Sequence, residues 1–512
     1  MVRINLFRNE VSLKMSTIAL LDKRFFFSDS KSPTVRLKVY FKHEINSPEL
    51  ADLNRRISGF AAKVMDSVVY PENIDKRELV MFIDFEQLLS KNSLDNESPG
   101  GCHISALLGA KVSSILWSSA FIQLEDITHV VLSSEFKSKI ADKSTFLVAM
   151  EQISVSNKLT EAASSRTVVL ESFFVSKDYD DARKISDSML VTRSLINAPA
   201  NYLNPASFER FLINLIQDWT PRFKGSVQVE TLDVKRLEKD GAGLICAVGR
   251  AAKESPRLLK VSWKPSQKTI GYHIALVGKG ITYDTGGLDI KPGANMRLMK
   301  KDMGGAAAAF GGFLALVLSE YPGELTLWLP LAENAISGDS YRPGDVYKAL
   351  NGKLVEIDNT DAEGRLILAD ALVYASREKP HLIIDVATLT GAARVSLGPE
   401  VDSAFSNRKE FARLLGEAST ATGDWAWPMP RVPQYKSYFE SNSIGDMENG
   451  GGKFAGAIVG AQFLEHFVDG IPWIHIDSYM WAEKPTLMAK EAGANPKMVR
   501  FLKYFIEHLE LT

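Results

Sequence analysis

HIALVGKGITYDTGG, residues 273–287, opens on a short apolar run, His273–Gly278, and breaks into a glycine-rich loop that carries Lys279 and Asp284. An apolar run of this length, closed by glycine, reads as a buried strand. Outward from it the pattern alternates. Upstream, helix-like Ser207–Trp219 precedes strand-like SVQVETL (226–232). Downstream, a helix of small residues starts near Gly304 and is followed by a strand, ELTLWLPL (324–331). KLVEI (353–357) then leads through a polar loop into a helix over Arg365–Ser376, and HLIIDVATL (381–389) is a further buried strand. Strands alternating with helices predict an α/β fold whose central sheet is mostly parallel and flanked by helices. Ligand sites in such sheets lie at the carboxyl ends of strands, where the polar loops of this chain fall.

The first ~175 residues, more than the alternating unit needs, predict a second, smaller α/β domain, as 512 residues exceed one comfortable core. VRLKVYF (35–41), LVMFIDF (79–85) and STFLVAM (144–150) read as strands, and Leu50–Ser67 as a helix. A charged helix from Asp178 to Ile196 is broken by Asn197-Ala198-Pro199-Ala200-Asn201, and Asn204-Pro205 adds a second turn signal. The expected division is an N-terminal domain over 1–177, a linker helix over 178–197 and a catalytic domain over 198–512. His43, His103 and His129 are scattered and read as structural.

Composition narrows the partners. Hydrophobic residues make up 45% and charged residues 24%, and 60 basic against 62 acidic residues leave a net charge of -2. No strong field points to nucleic acid or an anionic membrane. Cys102 and Cys246 are too few for a disulfide framework or a thiolate zinc site, and read as buried thiols in a reducing, cytoplasmic setting. No apolar run reaches the ~18 residues of a transmembrane helix. Arg3, Arg8 and Lys14 hint at a targeting segment, but Glu10 and the low serine and arginine content favour a plain first strand and turn.

Two loops carry chemistry. The first runs Gly278-Lys279-Gly280-Ile281-Thr282-Tyr283-Asp284-Thr285-Gly286-Gly287, with Lys291 and Asp302 beyond it; the second is Asn359-Thr360-Asp361-Ala362-Glu363-Gly364-Arg365. Asp284, Asp302, Asp361 and Glu363 thus stand at the ends of neighbouring α/β units. Carboxylates about 4 Å apart in a partly buried site repel by several kcal/mol unless cations or protons intervene. Oxygen ligands suit divalent ions, and paired metals form a hydrolytic clamp. In extended chain Asp361 and Glu363, two residues apart, point the same way. Taken singly, each motif also reads as structural: a glycine-rich turn, and an acidic helix start at Asp-Ala-Glu-Gly. The first loop lacks the spacing of a phosphate-binding loop.

Taken together, VGKGITYDTGG, KKDMGGAAA and NTDAEGRLILADAL resemble the signatures of the leucyl aminopeptidases, also called cytosol aminopeptidases. NAPANYL (197–203), ENAISGDSYRPGD (333–345), ATLTGA (387–392), 451–467 and 473–477 extend the resemblance over roughly 180–500. It implies an enzyme that releases leucine and other apolar residues from the N-termini of short peptides, a water bridging two metals attacking the first peptide bond. It implies two divalent ions per subunit, Zn or Mn, with Co and Mg as further candidates. Asp284 and Glu363 would bridge them, Lys279 and Asp302 complete the tighter site, and Asp361 the exchangeable one. Lys279 would then be neutral. Lys291 would stay protonated on the scissile carbonyl, and Arg365 would hold bicarbonate or an equivalent anion as general base. The substrate amine would meet a metal and Asp302. Met299, Asn359, Thr388, Leu389 and Gly391 would line the substrate and anion sites, Met299 and Thr388 as pocket walls. A homohexamer with active sites facing an interior cavity is also implied.

Three positions depart from the family pattern. Thr285 stands where serine is commoner, Ala335 where methionine is usual, and Asp289 where a small hydroxyl residue is usual. Asp289 is either a partner that mutes Lys291 or points away from it. A binding protein with weak catalysis and an amidase restricted to particular dipeptides are the competing readings, and a substrate panel separates them.

Overall fold

The computed structural model describes residues 176–511 apart from 268–269, 442–443 and 487–490. Ahead of these it describes five strands, the helical 147–149 and isolated residues between 108 and 143. The chain forms two compact units, and the division falls inside helix α1 (Ser176–Asn197), after Ser186.

The first unit holds a sheet of β1 (Val35–Phe41), β2 (Ser67–Asn73), β3 (Glu78–Ile83), β4 (Ile127–Leu132) and β5 (Thr167–Leu170), in the order β2-β3-β1-β4-β5. All neighbours are parallel except β2 and β3. The strands expected at 35–41 and 79–85 are present. The one expected at 144–150 is not: Leu147, Val148 and Ala149 are buried and helical. A short apolar run has no period that separates a buried strand from a buried helix. The helix expected over 50–67 lies outside the described residues, save Ser67, which opens β2. His43, Cys102 and His103 also lie outside them, and His129 is on β4.

In the second unit the helices are α2 (Pro205–Trp219), α3 (Val234–Asp240), α4 (Gly243–Gly249), α5 (Gly293–Met296), α6 (Gly304–Leu318), α7 (Glu363–Arg377), α8 (Gly391–Leu397), α9 (Phe411–Thr422), α10 (Gly456–Glu465) and α11 (Val499–Glu507). The Asn204-Pro205 turn signal is the start of α2. Asn204 Oδ1 accepts from the Ser207 amide, Ser207 Oγ accepts from the Asn204 amide, both at 2.9 Å, and proline takes the first helical position.

A nine-stranded sheet forms the centre. It comprises β6 (Gly225–Leu232), β7 (Arg257–Pro265), β8 (His273–Gly278), β9 (Gly280–Asp284), β10 (Glu324–Asn334), β13 (Leu382–Ala387), β14 (Val401–Ser406), β15 (Trp425–Pro428) and β17 (Trp473–Asp477). Its order is β15-β14-β17-β13-β8-β10-β7-β6, with β9 also on β10. The middle strands β17, β13, β8 and β10 are parallel, whereas β6, β7 and the β14–β17 pair add antiparallel flanks. The loop expected after β8 is thus partly a strand, β9, paired with β10. A small sheet joins β11 (Val346–Lys348), β12 (Leu354–Glu356) and β16 (Met447–Glu448).

Alternation along β8 and β13 sends side chains to both faces of the sheet. Ala275, Val277 and Ile383 share a core with Leu366, Ile367 and Ala371 of α7. Helix α6 packs on β8, β13 and α11. Its glycine and alanine start permits close seating, since a Cβ at Gly305 would lie 2.2 Å from the Val386 carbonyl oxygen. Contrary to the expectation from the sequence, Met299–Leu318 is long and apolar enough by composition to cross a membrane. Its apolar window is wholly buried in the core, as befits a helix that covers the middle of a sheet.

Candidate active site

Because β8, β10, β13 and β17 run parallel, their carboxyl ends at Gly278, Asn334, Ala387 and Asp477 fall on one edge of the sheet. Lys279 is the first residue past β8. Its amide donates to the Val386 carbonyl (3.0 Å) and its own carbonyl accepts from Ala306 (2.8 Å), which seats it between β13 and α6. The side chain is 3% exposed, and Nζ lies 2.8 Å from Asp302 Oδ2, 2.9 Å from Glu363 Oε1 and 3.0 Å from the Thr388 carbonyl oxygen.

Asp284 ends β9. Gly286 and Gly287 follow with φ of 87° and 64°, a left-handed conformation open to glycine, and the turn delivers the Gly286 amide to Asp284 Oδ1 at 2.8 Å. Asn334 Nδ2, at the end of β10, donates to the same oxygen at 2.8 Å. Lys291 Nζ lies 2.7 Å from Asp284 Oδ2 and also pairs with Asp361. Two ammonium groups therefore each straddle two carboxylates. Asp302 follows the single turn Met299–Lys301, and its Oδ1 accepts from the Thr388 hydroxyl at 2.8 Å.

The second loop follows β12. Asp361 lies in a turn and Glu363 opens α7, so the pair does not converge through an extended segment. Ala362, at the cap position, leaves Asp361 free of capping, and the acidic-helix-start reading holds only for Glu363. Oxygens of Asp284, Asp361 and Glu363 nevertheless lie within 4.8 Å of one another. Asn359 Oδ1 accepts from the Asp361 amide at 2.8 Å. Asn449, fully buried, clamps the whole turn: Oδ1 accepts from the Asp358 and Asn359 amides (2.9 and 3.1 Å), and Nδ2 donates to the Asn359 and Ala362 carbonyls (2.8 and 3.2 Å).

Arg365 sits on the first turn of α7, buried, and donates through Nη1 to the Asn449 carbonyl (2.8 Å); its Nε has no hydrogen-bond partner among the described residues. The Leu389 amide is engaged by Asp477 Oδ1 (2.9 Å), which also takes the Thr390 amide (3.2 Å), while Oδ2 takes the Thr390 hydroxyl (2.6 Å). Gly391 opens α8, and Met299 is half-buried. His475 meets Asp385 inside the sheet at 2.6 Å, apart from this cluster, and no carboxylate of the cluster is bonded to a histidine among the described residues. Cys246 is half-buried with its thiol pushed up to about 12 by burial, so it is inert at neutral pH.

Electrostatics follow from this crowding. Burial opposes the charge on Lys279, but Asp302, Glu363 and Asp284 outweigh it and hold the ammonium above the ordinary lysine value. Lys291 is raised by the same contest, with Asp284 the leading carboxylate. Burial, then the charge of Asp284, pushes the carboxyls of Asp361 and Glu363 up. Arg365 is lowered to about 10 by burial. Glu363 Oε2 is buried without a hydrogen-bond partner among the described residues.

Residues 190–503 match the family model described as the cytosol aminopeptidase family, catalytic domain. The chain belongs to the cytosol aminopeptidase family. A probable cytosol aminopeptidase of Syntrophotalea carbinolica is 40% identical over 317 residues, 61% of this chain and 62% of that protein. One from Pseudomonas fluorescens is 41% identical over 327 residues, 64% of each. The chain thus matches these curated relatives over somewhat less than two thirds of their length. Likeness in structure runs further. The cytosol aminopeptidase of Coxiella burnetii has a TM-score of 0.78 at 29% identity, covering 94% of this chain and 99% of that one. A bottromycin maturation enzyme in complex with Mn gives 0.77 at 26% identity, covering 93% and 99%. The α/β fold with a mostly parallel central sheet is that of the family.

The cluster gathers Asp284, Asp302, Asp361, Glu363, Lys279 and Lys291, the carboxylates and lysines that the resemblance assigns to the site. Sequence reasoning missed Asn334, Asn449 and Asp477, the side chains that hold the loops in place. Asn449 stands just ahead of the recognised 451–467 segment and Asp477 at the end of 473–477, so position beside a familiar segment was the available signal.

Proposed function

We propose that this chain is a metal-dependent aminopeptidase that releases N-terminal residues, leucine and other apolar residues preferred, from short peptides. One observation carries the reading: among the described residues four buried or half-buried carboxylates form ion pairs with two ammonium groups, and Glu363 Oε2 has no hydrogen-bond partner there. Buried anionic oxygens in excess call for cations, and an oxygen-rich donor set suits divalent ions such as Mn or Zn, with Co and Mg as further candidates. Asp284 and Glu363 would hold both ions, Lys279 and Asp302 one of them and Asp361 the other. Lys279 can ligate only as the free amine, and dications at these carboxylates reverse the balance that now keeps it protonated. When bound, such ions polarise the scissile carbonyl and acidify water.

The chain's own residues supply the rest. Asp302 takes the substrate's free α-amine, which makes the enzyme an exopeptidase, because an internal peptide bond has no amine to offer. Lys291, kept charged by its carboxylate neighbours, holds the carbonyl oxygen and stabilises the negative charge that grows there. Arg365, its Nε without a hydrogen-bond partner among the described residues, holds a bicarbonate or similar anion that accepts the proton of the attacking water, with Asn359, Leu389 and Gly391 beside it. Met299 and Thr388 wall the side-chain pocket. Residues 198–512 form the catalytic domain, 178–197 the linker helix and 1–177 the accessory domain. The enzyme works as a cytoplasmic homohexamer.

The test is hydrolysis of a leucine anilide by purified protein, stripped with chelator and assayed before and after addition of Mn or Zn. Loss and recovery of activity are expected. A folded protein inactive with every metal and every amino-acid anilide refutes the assignment. Light scattering that gives a monomer under native conditions refutes the hexamer.

A further inference from the structure

Asp289 is the departure whose direction the sequence left open, and the structure turns it away from Lys291. Its Oδ2 accepts from the Thr360 amide at 2.7 Å and lies 3.0 Å from the Thr360 hydroxyl, while its own amide donates to that hydroxyl at 2.8 Å. The two residues are 71 positions apart and belong to the two different loops of the site. We propose that Asp289 is a positioning residue that clasps the Asp361 loop to the Lys291 loop and thereby sets the affinity of the cation site to which Asp361 contributes. The inference rests on the metal reading above.

The argument lies in how each carboxylate is aimed. Asp284 is fixed by the Gly286 amide and Asn334, and Asp302 by the Thr388 hydroxyl. Asp361 has no such neutral donor among the described hydrogen bonds, its side chain is 33% exposed, and its carboxyl is paired there with the Lys291 ammonium. Its aim is therefore delegated to the backbone on which it stands. The preceding residue, Thr360, is held from every side. Its carbonyl accepts from Asn334 Nδ2 (3.1 Å) and from the Tyr341 hydroxyl (2.6 Å), its hydroxyl lies 2.6 Å from the Gly286 carbonyl oxygen, and its amide goes to Asp289. Asp289 is the exposed and only charged member of this group. A hydrogen bond to an ionised acceptor is about twice as strong as a neutral one, so the aspartate makes a firmer clasp than the hydroxyl residue usual here.

The experiment is calorimetric titration of chelated protein with Mn2+, comparing the wild type with D289A, D289N and D289S. Loss of an outer partner of a metal ligand costs about 10–100-fold in affinity. D289A is expected to weaken the weaker of the two Mn2+ sites by at least about tenfold and to leave the tighter one within about threefold. D289N, whose amide oxygen still accepts from Thr360 in a neutral hydrogen bond, is expected to recover about half of the loss. If D289A does not fold, D289S carries the same comparison with an intermediate loss. Wild-type affinity at both sites in D289A overturns the clasp. So does equal weakening of both sites, which marks a general structural role, and so does a D289N as weak as D289A, which traces the effect to the field of the charge and not to the hydrogen bond with Thr360. A wild type that binds no Mn2+ fails the metal reading itself and takes this proposal with it.

Discussion

Replacing Gly364 with alanine separates the chemistry of this site from its fold. Gly364 stands on the first turn of α7, between Glu363 and Arg365. A Cβ there would lie 2.5 Å from Lys279 Cε, 2.6 Å from Nζ and 2.8 Å from Cδ. Carbon atoms pack at about 3.5–4.0 Å, so the end of Lys279 has to retreat by roughly 1 Å. The side chain is buried and its Nζ contacts, at 2.8, 2.9 and 3.0 Å, pass beyond hydrogen-bond range on such a retreat. Misplacing a catalytic group by about 1 Å costs on the order of 10²-fold in rate. Stability falls by about 0–2 kcal/mol, because alanine in a helix gains up to ~1 kcal/mol over glycine while overpacking costs ~1–3 kcal/mol. The expected result is kcat for a leucine anilide reduced about 100-fold at saturating Mn, weakened Mn2+ binding, and a melting temperature within a few degrees of wild type. A kcat within threefold of wild type in the G364A variant refutes the placement of Lys279 at the reacting centre.

Gly416, inside α9 with open space around it, is the matched control: G416A is expected to raise unfolding free energy by ~0.5–1 kcal/mol in denaturant melts, with kcat unchanged. K291A is expected to lower kcat by ~10²–10³-fold with a smaller change in KM, since its contact strengthens as charge develops; a change in KM alone removes its assigned role. Asp370 is buried on α7, accepts from the amides of Leu244, Ile245 and Leu350, and is pushed up to about 7 by burial. An acid whose folded pKa exceeds its unfolded value binds more protons folded, so stability falls as pH rises from about 4 to about 7. Urea melts across that range are expected to show this slope in the wild type and its reduction in D370N.

The parallel core was legible because β8 and β13 are short apolar runs closed by polar loops, and buried parallel strands carry that signature. The carboxylates were legible because they cluster in two loops at strand ends. STFLVAM misled because a run of five apolar residues fits either element, and Gly280–Asp284 hid as a loop because its pairing to β10 depends on residues some 50 positions away. Only the family resemblance marked Lys279 in the sequence; in the structure it pairs with Asp302 and Glu363, and its place between them, rather than its type, marks it for the site. Asn449 and Asp477 escaped notice for a related reason. Each acts through hydrogen bonds to main chain roughly 90 residues earlier, and a side chain that serves distant backbone leaves no local pattern.

The clamp formed by Asn449 bears on how the protein is made. By the time synthesis reaches the end of α7, every proposed metal ligand has been joined to the chain, yet the asparagine that locks the Asp358–Ala362 turn is still about seventy residues away. Loop closures of that length come late in folding. A chain made only as far as α7 therefore carries the proposed ligands without the asparagine that holds their turn. Completion of the cluster from a distant segment is thus written into the contact order of the chain.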